Sequence, residues 1–421
     1  MSFRVPRGTQ DFLPGEVEIW QFIEEKAREL CRRYHIAEIR TPIFEQTDLF
    51  QRGVGEATDI VMKEMYTFTD RGGRSLTLRP EGTAPVVRAF VEHKVYGGPQ
   101  PTKWFYIGPM FRYERPQAGR MRQFHQFGVE VFGTSDPGAD AELIALGTDF
   151  YDSLGLKGVR VELNSVGCST CRPTYLEKLV AYFKPLQDQL CSDCQSRITR
   201  NPLRILDCKQ KSCQVLIANA PQTLEHLCDA CDTHFQEVKE QLKLLEVDYV
   251  LNWRLVRGLD YYTQTAFEYV LEGKGGQAGS IGGGGRYNGL VAEMGGSDVP
   301  GVGFAVGLER TVLAIKEQGI ALPLNQGLDC FIVALGSSAK KRAVALVRDL
   351  RKAGLSADRD LLDRKMKGQM KAADRAKARF VAILGEEELA QNKIMVKEMA
   401  SGQQEAVDLE HLVSYLQKNR T

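Results

Sequence analysis

Phe111-Arg112-Tyr113-Glu114-Arg115-Pro116-Gln117-Ala118-Gly119-Arg120-Met121-Arg122-Gln123 is the stretch around which the rest of the chain can be read. It lies between two apolar runs of strand character, Trp104-Phe105-Tyr106-Ile107 and Gln126-Phe127-Gly128-Val129-Glu130-Val131-Phe132. Two strands joined by a polar, arginine-rich loop read most simply as a long antiparallel pair. An arginine on the edge of a rigid sheet offers a planar fork that fits two phosphate oxygens. The arginines farther along the loop suit nucleic-acid phosphates. A basic hairpin that meets only water has the same composition, so the loop alone decides nothing.

Upstream, Val17, Trp20, Ile23, Ala27, Leu30, Cys31 and Tyr34 recur at steps of three and four, which predicts an amphipathic helix over 16–35. Pro42 ends any helix, and Arg40-Thr41-Pro42-Ile43-Phe44 reads as extended. Tyr66-Thr67-Phe68 and Leu76-Thr77-Leu78 flank Asp70-Arg71-Gly72-Gly73, a hairpin turn. Strand signals with short breaks run through 60–135. Downstream come three more segments. Leu255-Val256-Arg257-Gly258-Leu259-Asp260-Tyr261-Tyr262 reads as the start of an apolar strand, then an arginine, an acid and two tyrosines. Buried tyrosine hydroxyls need partners and often mark a polar ligand; a packed aromatic pair is the plainer reading. Gly282-Gly283-Gly284-Gly285-Arg286-Tyr287 is either a flexible turn or a place where backbone approaches a ligand closely. It fits neither a dinucleotide fingerprint nor a P-loop. Gly301-Val302-Gly303-Phe304-Ala305-Val306-Gly307-Leu308-Glu309-Arg310 predicts a small-residue strand turning into a helix, with Arg310 near the helix start.

Taken together, these segments resemble the class II aminoacyl-tRNA synthetases. Arg40-Thr41-Pro42 after the long helix looks like motif 1, Phe111-Arg112-Tyr113-Glu114 like motif 2, and Gly303 to Arg310 like motif 3. Arg257 to Tyr262, Gly284-Gly285-Arg286-Tyr287 with Asn288-Gly289-Leu290, and Leu78-Arg79-Pro80-Glu81-Gly82-Thr83 are similar to the segments of the histidyl-tRNA synthetases. The family often has Asp where Asn288 stands, a mild departure.

The resemblance implies an α+β fold: a class II catalytic core over 1–325, an antiparallel sheet flanked by helices. It also implies a helical insertion at about 170–250 and a C-terminal α/β anticodon-binding domain over 328–421. It implies ATP as substrate with Mg2+ held mainly through the phosphates, L-histidine and tRNA(His) as the other substrates, and a homodimer built on motif 1. Arg112 would hold the α-phosphate, with Glu114 also at ATP, and Arg310 the far phosphates. Arg257 would act with Arg112 near the reacting carboxylate. Glu81, Thr83 and Gln126 match positions for the α-ammonium, and Glu130 and Tyr262 positions for the imidazole, with Tyr261 and Tyr287 lining the pocket. Arg115 and Gln117 would meet the tRNA acceptor end. A related fold without ligase activity, the histidine-sensing regulatory subunit of ATP phosphoribosyltransferase, lacks the anticodon domain and the catalytic arginines.

Composition agrees with this range of readings. The 421 residues carry a net charge of +1 and are 43% hydrophobic, which excludes a disordered chain and a wholly basic nucleic-acid binder. The start, MSFRVPRGTQDF, has no signal-like apolar core, and no apolar run is long enough for a bilayer, so a cytoplasmic protein without membrane contact is expected. Residues 340–379 hold fourteen Lys or Arg against five Asp or Glu, a surplus of nine, and Arg364-Lys365-Met366-Lys367-Gly368-Gln369-Met370-Lys371 predicts a phosphate-facing helical stripe. Strand and helix alternate from Leu328 onward, after the linker Leu322 to Gly327.

Eight of the ten cysteines fall in four pairs: Cys168 and Cys171, Cys191 and Cys194, Cys208 and Cys213, Cys228 and Cys231. Without a secretion signal they do not read as a disulfide framework. The spacings suit thiolate-bound structural zinc, and eight thiols are enough for two tetrahedral ions, with His226 and His234 as alternative ligands. Packed, reduced thiols are the other reading. Catalysis in the family does not need zinc.

Overall fold

A computed structural model describes residues 3–55, 58–256, 258–272, 278–324 and 327–420. The chain divides into two compact units, Met1–Leu322 and Pro323–Thr421.

The first unit opens with helix α1 (Val17–Arg33), whose Trp20, Ile23, Ala27, Leu30 and Cys31 are buried as the three-and-four spacing predicts. Next come β1 (Ala37–Glu38), β2 (Phe44–Gln46), helix α2 (Thr47–Val54) and the hairpin of β3 (Tyr66–Thr69) and β4 (Ser75–Leu78). The Asp70 carboxylate accepts from the backbone N–H groups of Gly72 and Arg74 and so closes the hairpin turn. Helix α3 (Thr83–Glu92) is a ten-residue interruption of the strand signals of 60–135, longer than the short breaks expected there. The long antiparallel pair β5 (Thr102–Phe111) and β6 (Gln123–Phe132) follows, in register from Thr102 opposite Phe132 to Phe111 opposite Gln123. Helix α4 (Pro137–Ser153) starts at Asp136, whose side chain accepts from Gly138 N.

Strand β7 (Val159–Ser165) leads into the insertion: α5 (Arg172–Phe183), α6 (Ser192–Arg200), α7 (Lys211–Ile217) and α8 (Asp229–Leu244). The chain rejoins the sheet at β8 (Tyr249–Leu251), parallel to β7. It continues through β9 (Thr263–Glu272), β10 (Ala278–Arg286), α9 (Leu290–Glu293), β11 (Gly301–Gly307) and α10 (Leu308–Gln318). The strand expected from Leu255 begins only at Thr263; Asn164 holds the preceding bend instead, donating to the carbonyls of Trp253 and Leu255. The glycine run is no turn: Gly282 to Gly285 lie within β10, paired on both sides.

The main sheet has the order β1-β5-β6-β11-β10-β9-β7-β8, antiparallel through its centre, and β2, β4 and β3 form a small second sheet. Helices α1, α4 and α10 cover one face of the main sheet, with Phe127, Phe150, Tyr269 and Phe304 at the centre of that core. A second cluster, with α3, Tyr106, Phe132, Tyr261, Tyr262 and Tyr287, packs against it from the other side.

The C-terminal unit is a five-stranded sheet in the order β13-β12-β14-β15-β16. Its elements are β12 (Cys330–Ala334), α11 (Ser337–Lys352), β13 (Ala357–Arg359), α12 (Met366–Arg375), β14 (Phe380–Leu384), α13 (Glu386–Ala390), β15 (Lys393–Glu398), β16 (Gln404–Asp408) and α14 (Leu412–Lys418). Alternate residues of β12 divide between two cores. Cys330, Ile332 and Ala334 meet α11 and α14, whereas Phe331 and Val333 meet α12. The Gln369 side-chain amide of α12 exchanges two 3.0 Å bonds with the Ala334 backbone, which leaves Lys365, Lys367 and Lys371 facing solvent.

Candidate active site

Strands β6, β10 and β11 and the start of α3 bring one group of buried polar side chains together. The carboxyl of Glu130, near the end of β6, accepts from the Thr83 hydroxyl (2.7 Å) and the Tyr287 hydroxyl (2.6 Å). Tyr106 Oη lies 3.5 Å away. The room for this carboxyl comes from Gly303 on the neighbouring strand, where any Cβ would overlap Glu130 Oε2. The ring of Tyr106 is in turn seated between Gly82 and Gly128, either of which would collide with it if given a side chain.

Glu81 sits just before α3, and its two oxygens accept from the backbone N–H groups of Thr83 (2.8 Å) and Ala84 (2.7 Å), capping the helix start. Thr83 links the two acids: its backbone N–H donates to Glu81 and its hydroxyl to Glu130. Burial pushes the Glu130 carboxyl up to about 8, against the hydrogen bonds from Tyr287 and Thr83, and the nearby Glu81 charge adds to the rise. Glu81 is raised by burial too, opposed by its backbone donors. Two buried acids in one pocket is an arrangement that a cation relieves. Two further atoms mark polar demand here: among the described residues, Gln126 Oε1 and Tyr261 Oη are buried and carry no hydrogen bond. Tyr261 and Tyr262 pack ring to ring at 4.7 Å, and Tyr261 meets Tyr287 at 5.8 Å.

The second group is cationic and less buried. Arg112, at the end of β5, donates through Nε to Pro80 O (2.8 Å) and lies over the Phe124 ring at 5.2 Å. Its Nη1 stands 3.9 Å from Glu114, which also faces Arg120 at 3.5 Å. Arg310, in the first turn of α10, donates to Ser280 O. Burial depresses its pKa, and the field of Arg120 depresses it further. The tight turn at Gly119 brings the loop down onto Arg310, a Cβ there being only 3.0 Å from Arg310 Cγ. Arg112, Arg120 and Arg310 around one Glu114 make a site with surplus positive charge at short range, suited to a polyphosphate. Arg115 and Gln117 are exposed on the same loop. Arg257 lies outside the described residues.

Two motif arginines prove to be structural. Arg79 donates to the carbonyls of Thr41, Pro42 and Pro109, tying the Arg40-Thr41-Pro42 segment to β5 and fixing Glu81 two residues on. Arg286 is wholly buried: it is paired with Asp140 and donates to Thr134 O and Asp136 O. Burial works against the Asp140 charge, but His234 and Arg286 hold it below the usual carboxylate range. This pair anchors the end of β10 and with it Tyr287.

Sequence reasoning missed Tyr106 and Arg120. Tyr106 alternates correctly for the Glu130 side of the sheet, but its partners Gly82 and Gly128 are distant in the chain. Arg120 was legible only as one more loop arginine.

Neither histidine near the last cysteine pair joins a thiol group: His234 lies within 3.4 Å of Asp140 and Thr265, and His226 beside Lys178. The cysteines gather as two quartets, Cys168, Cys171, Cys228 and Cys231, and Cys191, Cys194, Cys208 and Cys213.

An antiparallel sheet carrying a motif 2 loop, an arginine at the start of the motif 3 helix, and an acid-lined pocket beside them defines the catalytic unit of a class II aminoacyl-tRNA synthetase. The family model described as histidyl-tRNA synthetase matches residues 8–171 and 186–311, and that of an anticodon binding domain matches 329–419. A histidine–tRNA ligase of Geobacillus thermodenitrificans is 57% identical over 418 residues, covering 99% of this chain and 98% of the relative. One of Pelotomaculum thermopropionicum is 56% identical over 416 residues, 99% of this chain and 98% of the relative. The crystal structure of apo histidyl-tRNA synthetase from S. aureus superposes with a TM-score of 0.85 at 45% identity, covering 99% of this chain and 100% of that one. The chain belongs to the histidyl-tRNA synthetase family.

Proposed function

We propose that this protein activates L-histidine with ATP, giving histidyl-adenylate and pyrophosphate, and then transfers the histidyl group to the 3′ end of tRNA(His). The observation that carries the reading is the adjacency of two opposite environments: the buried acids Glu81 and Glu130 among tyrosines, and the arginines 112, 120 and 310 on the neighbouring loop and helix.

In the acidic half, the α-ammonium takes Glu81, Thr83 and Gln126 Oε1 as acceptors. The imidazole takes Glu130 and Tyr262, with Tyr261 and Tyr287 closing the pocket. An amino acid without the two ring nitrogens would leave these buried groups unpaired, which is the basis for rejecting it. In the cationic half, Arg112 holds the α-phosphate as the carboxylate attacks it, and Arg310 the far phosphates. Glu114 meets the nucleotide. Mg2+ arrives with the phosphates and neutralises part of their charge. Arg257 joins Arg112 at the reacting groups.

Preorganised cations contribute most here because the charge that builds on the α-phosphate meets them without reorganisation. Arg115 and Gln117 contact the acceptor end of the tRNA, and the basic face of α12 its anticodon arm. We take the protein to work in the cytoplasm as a homodimer formed through α1 and the segment after it. Among the described residues no helix is long and apolar enough to cross a membrane.

ATP–pyrophosphate exchange with each of the twenty amino acids, without tRNA, tests the reading. Exchange with histidine alone is expected, followed by charging of tRNA(His). Histidine binding without exchange would overturn it in favour of a histidine-sensing regulator.

A further inference from the structure

The insertion depends on more than the helical propensity of its own segments. Its helices α6 and α7 are nine and seven residues long, too short to persist without tertiary support. Their support is a small core of Tyr175, Leu179, Phe183 and Ile205, and three members of that core are cysteines: Cys194, Cys208 and Cys213.

We propose that the two cysteine quartets are structural zinc sites, each holding one ion in a tetrahedron of four thiolates. In each quartet all four sulfurs lie within 4.8 Å of one another. A tetrahedral ion with Zn–S bonds of about 2.3 Å requires sulfur–sulfur edges of about 3.8 Å. The edges found are 3.8 Å for Cys168 to Cys171, 3.8 Å for Cys168 to Cys228, 3.9 Å for Cys171 to Cys231 and 3.8 Å for Cys191 to Cys208. A disulfide would need about 2.05 Å and would pair sulfurs, not group them in fours. Backbone N–H groups also point at the sulfurs: Cys168 N at Cys171 Sγ (3.3 Å), Thr170 N at Cys168 Sγ (3.4 Å) and Cys191 N at Cys213 Sγ (3.3 Å). Donors so placed stabilise thiolates, the form that binds the metal. The remaining two cysteines, Cys31 and Cys330, are each buried apart from any quartet.

The sites divide the work by position. Cys168 and Cys171 follow β7, where the chain leaves the sheet, and Cys228 and Cys231 open α8, by which it returns. This quartet closes the neck of the insertion. The other quartet joins the start of α6 to α7 inside the insertion, at the edge of the apolar core formed by Tyr175, Leu179, Phe183, Ile198 and Ile205. No cysteine of either quartet bonds a residue of the acid-lined pocket directly among the described residues; the neck quartet reaches it only through Arg172, which follows Cys171 and donates to Tyr262 O, and the metal count does not depend on the ligase reading.

The test is metal content of the full chain, purified untagged under reducing conditions without chelator from cells grown with added zinc. Elemental analysis is expected to give about two zinc ions per chain. Cobalt exchanged for zinc is expected to show the visible bands and sulfur charge-transfer absorption of tetrahedral thiolate coordination. Cys228→Ser and Cys191→Ser should each lose one ion, while Cys330→Ser keeps both. The wild-type metal count and cobalt spectrum stand even if a variant fails to fold. A folded protein with less than about 0.2 zinc per chain and no cobalt spectrum would overturn the proposal. In that case a full count of titratable thiols assigns the quartets to packed cysteines, and a deficit to disulfides. Iron in place of zinc would overturn it as well.

Discussion

The acid-lined pocket and the arginine loop beside it solve opposite problems with opposite means. In the pocket, short side chains are fixed by one another: Thr83 and Tyr287 hold Glu130, and backbone N–H groups hold Glu81. On the loop and the start of α10, long side chains are anchored by single backbone carbonyls, Arg112 by Pro80 O and Arg310 by Ser280 O, with Glu114 the acid nearest Arg112 Nη1 at 3.9 Å. The pocket is therefore built for discrimination, since any misfit strands a buried polar group. The loop is built for charge that appears during the reaction. If this division is right, changes in the two places should affect different kinetic constants.

The largest effect is expected on the cationic side. Arg112→Ala should lower kcat for ATP–pyrophosphate exchange by about 10²–10³-fold, the loss typical of removing one preorganised donor to a developing charge. Arg112→Lys should recover little, because a point charge does not reproduce the fork. Steady-state exchange kinetics decide it. A rise in KM for histidine with kcat intact would break the division at its strongest point.

On the acidic side, Gly303→Ala places a methyl group against the Glu130 carboxyl and within 2.6 Å of Val129 O. Overpacking of this kind costs about 1–3 kcal/mol. A lower Tm and a KM for histidine raised about tenfold or more are expected, with KM for ATP unchanged. Equal damage to both constants would mean that the pocket and the loop form one unit.

Glu130 makes the division visible through pH. Its carboxyl, at about 8 in the folded protein against an ordinary value of 4.5, stays protonated across a range in which the unfolded chain has lost that proton. The native state thus binds more protons, and this group's contribution to stability falls as pH rises from about 4.5 to about 8 and is level above. Glu130→Gln should flatten that part of the profile of unfolding free energy. A ligand cation has the reverse effect on the group: it draws the carboxyl towards its charged form. Histidine binding near pH 7 should therefore release a proton, a fraction of one per site, measured by calorimetry in buffers of different ionisation enthalpy. Glu130→Gln should remove that release. An unchanged release in the variant would show that the charge of the α-ammonium, held at Glu81, does not reach Glu130; Glu81 would then be the group that releases the proton.

What could be read in the chain follows from how each element is exposed. Helix α1 has one buried stripe and announces itself, as does α11, and the strands β5 and β6 show as apolar runs on either side of a polar loop. Helix α3 was hidden among strands because Thr83, Ala84, Pro85, Val86, Val87, Ala89 and Phe90 are all buried, which erases the stripe. Strand β10 was legible only as strand-and-glycine texture from Ile281 on: four glycines leave no side chains to alternate, and pairing with β9 and β11 decides strand over turn. Likewise the site. The residue types at Arg112, Glu130, Tyr287 and Arg310 stood out through family resemblance, but the bond from Thr83 to Glu130 spans 47 positions and belongs to no local pattern. The same holds for the grouping of four cysteine pairs into two quartets. Spacing proposes ligands, but only the neck of the insertion brings Cys171 to Cys231.

The smallest expected effect tests the boundary between the two halves. Arg120 is 51% exposed in its side chain, and Glu114 lies between it and Arg112. Solvent screens so open a charge, which limits what its loss can cost. Yet Arg120 also draws on Glu114, so its removal leaves that carboxylate free to turn to Arg112 and compete with a phosphate for the fork. Arg120→Ala should therefore raise KM for ATP about three- to tenfold through Arg112, and more at low salt than at high salt. Arg120→Ala combined with Glu114→Gln should recover part of the loss, because the competing acceptor is gone. KM for histidine should not move in either variant. If it does, the field of the arginine loop reaches Glu81 and Glu130 strongly enough that the two halves titrate together, and the pH behaviour of the pocket would then have to change in the Arg120 variant as well.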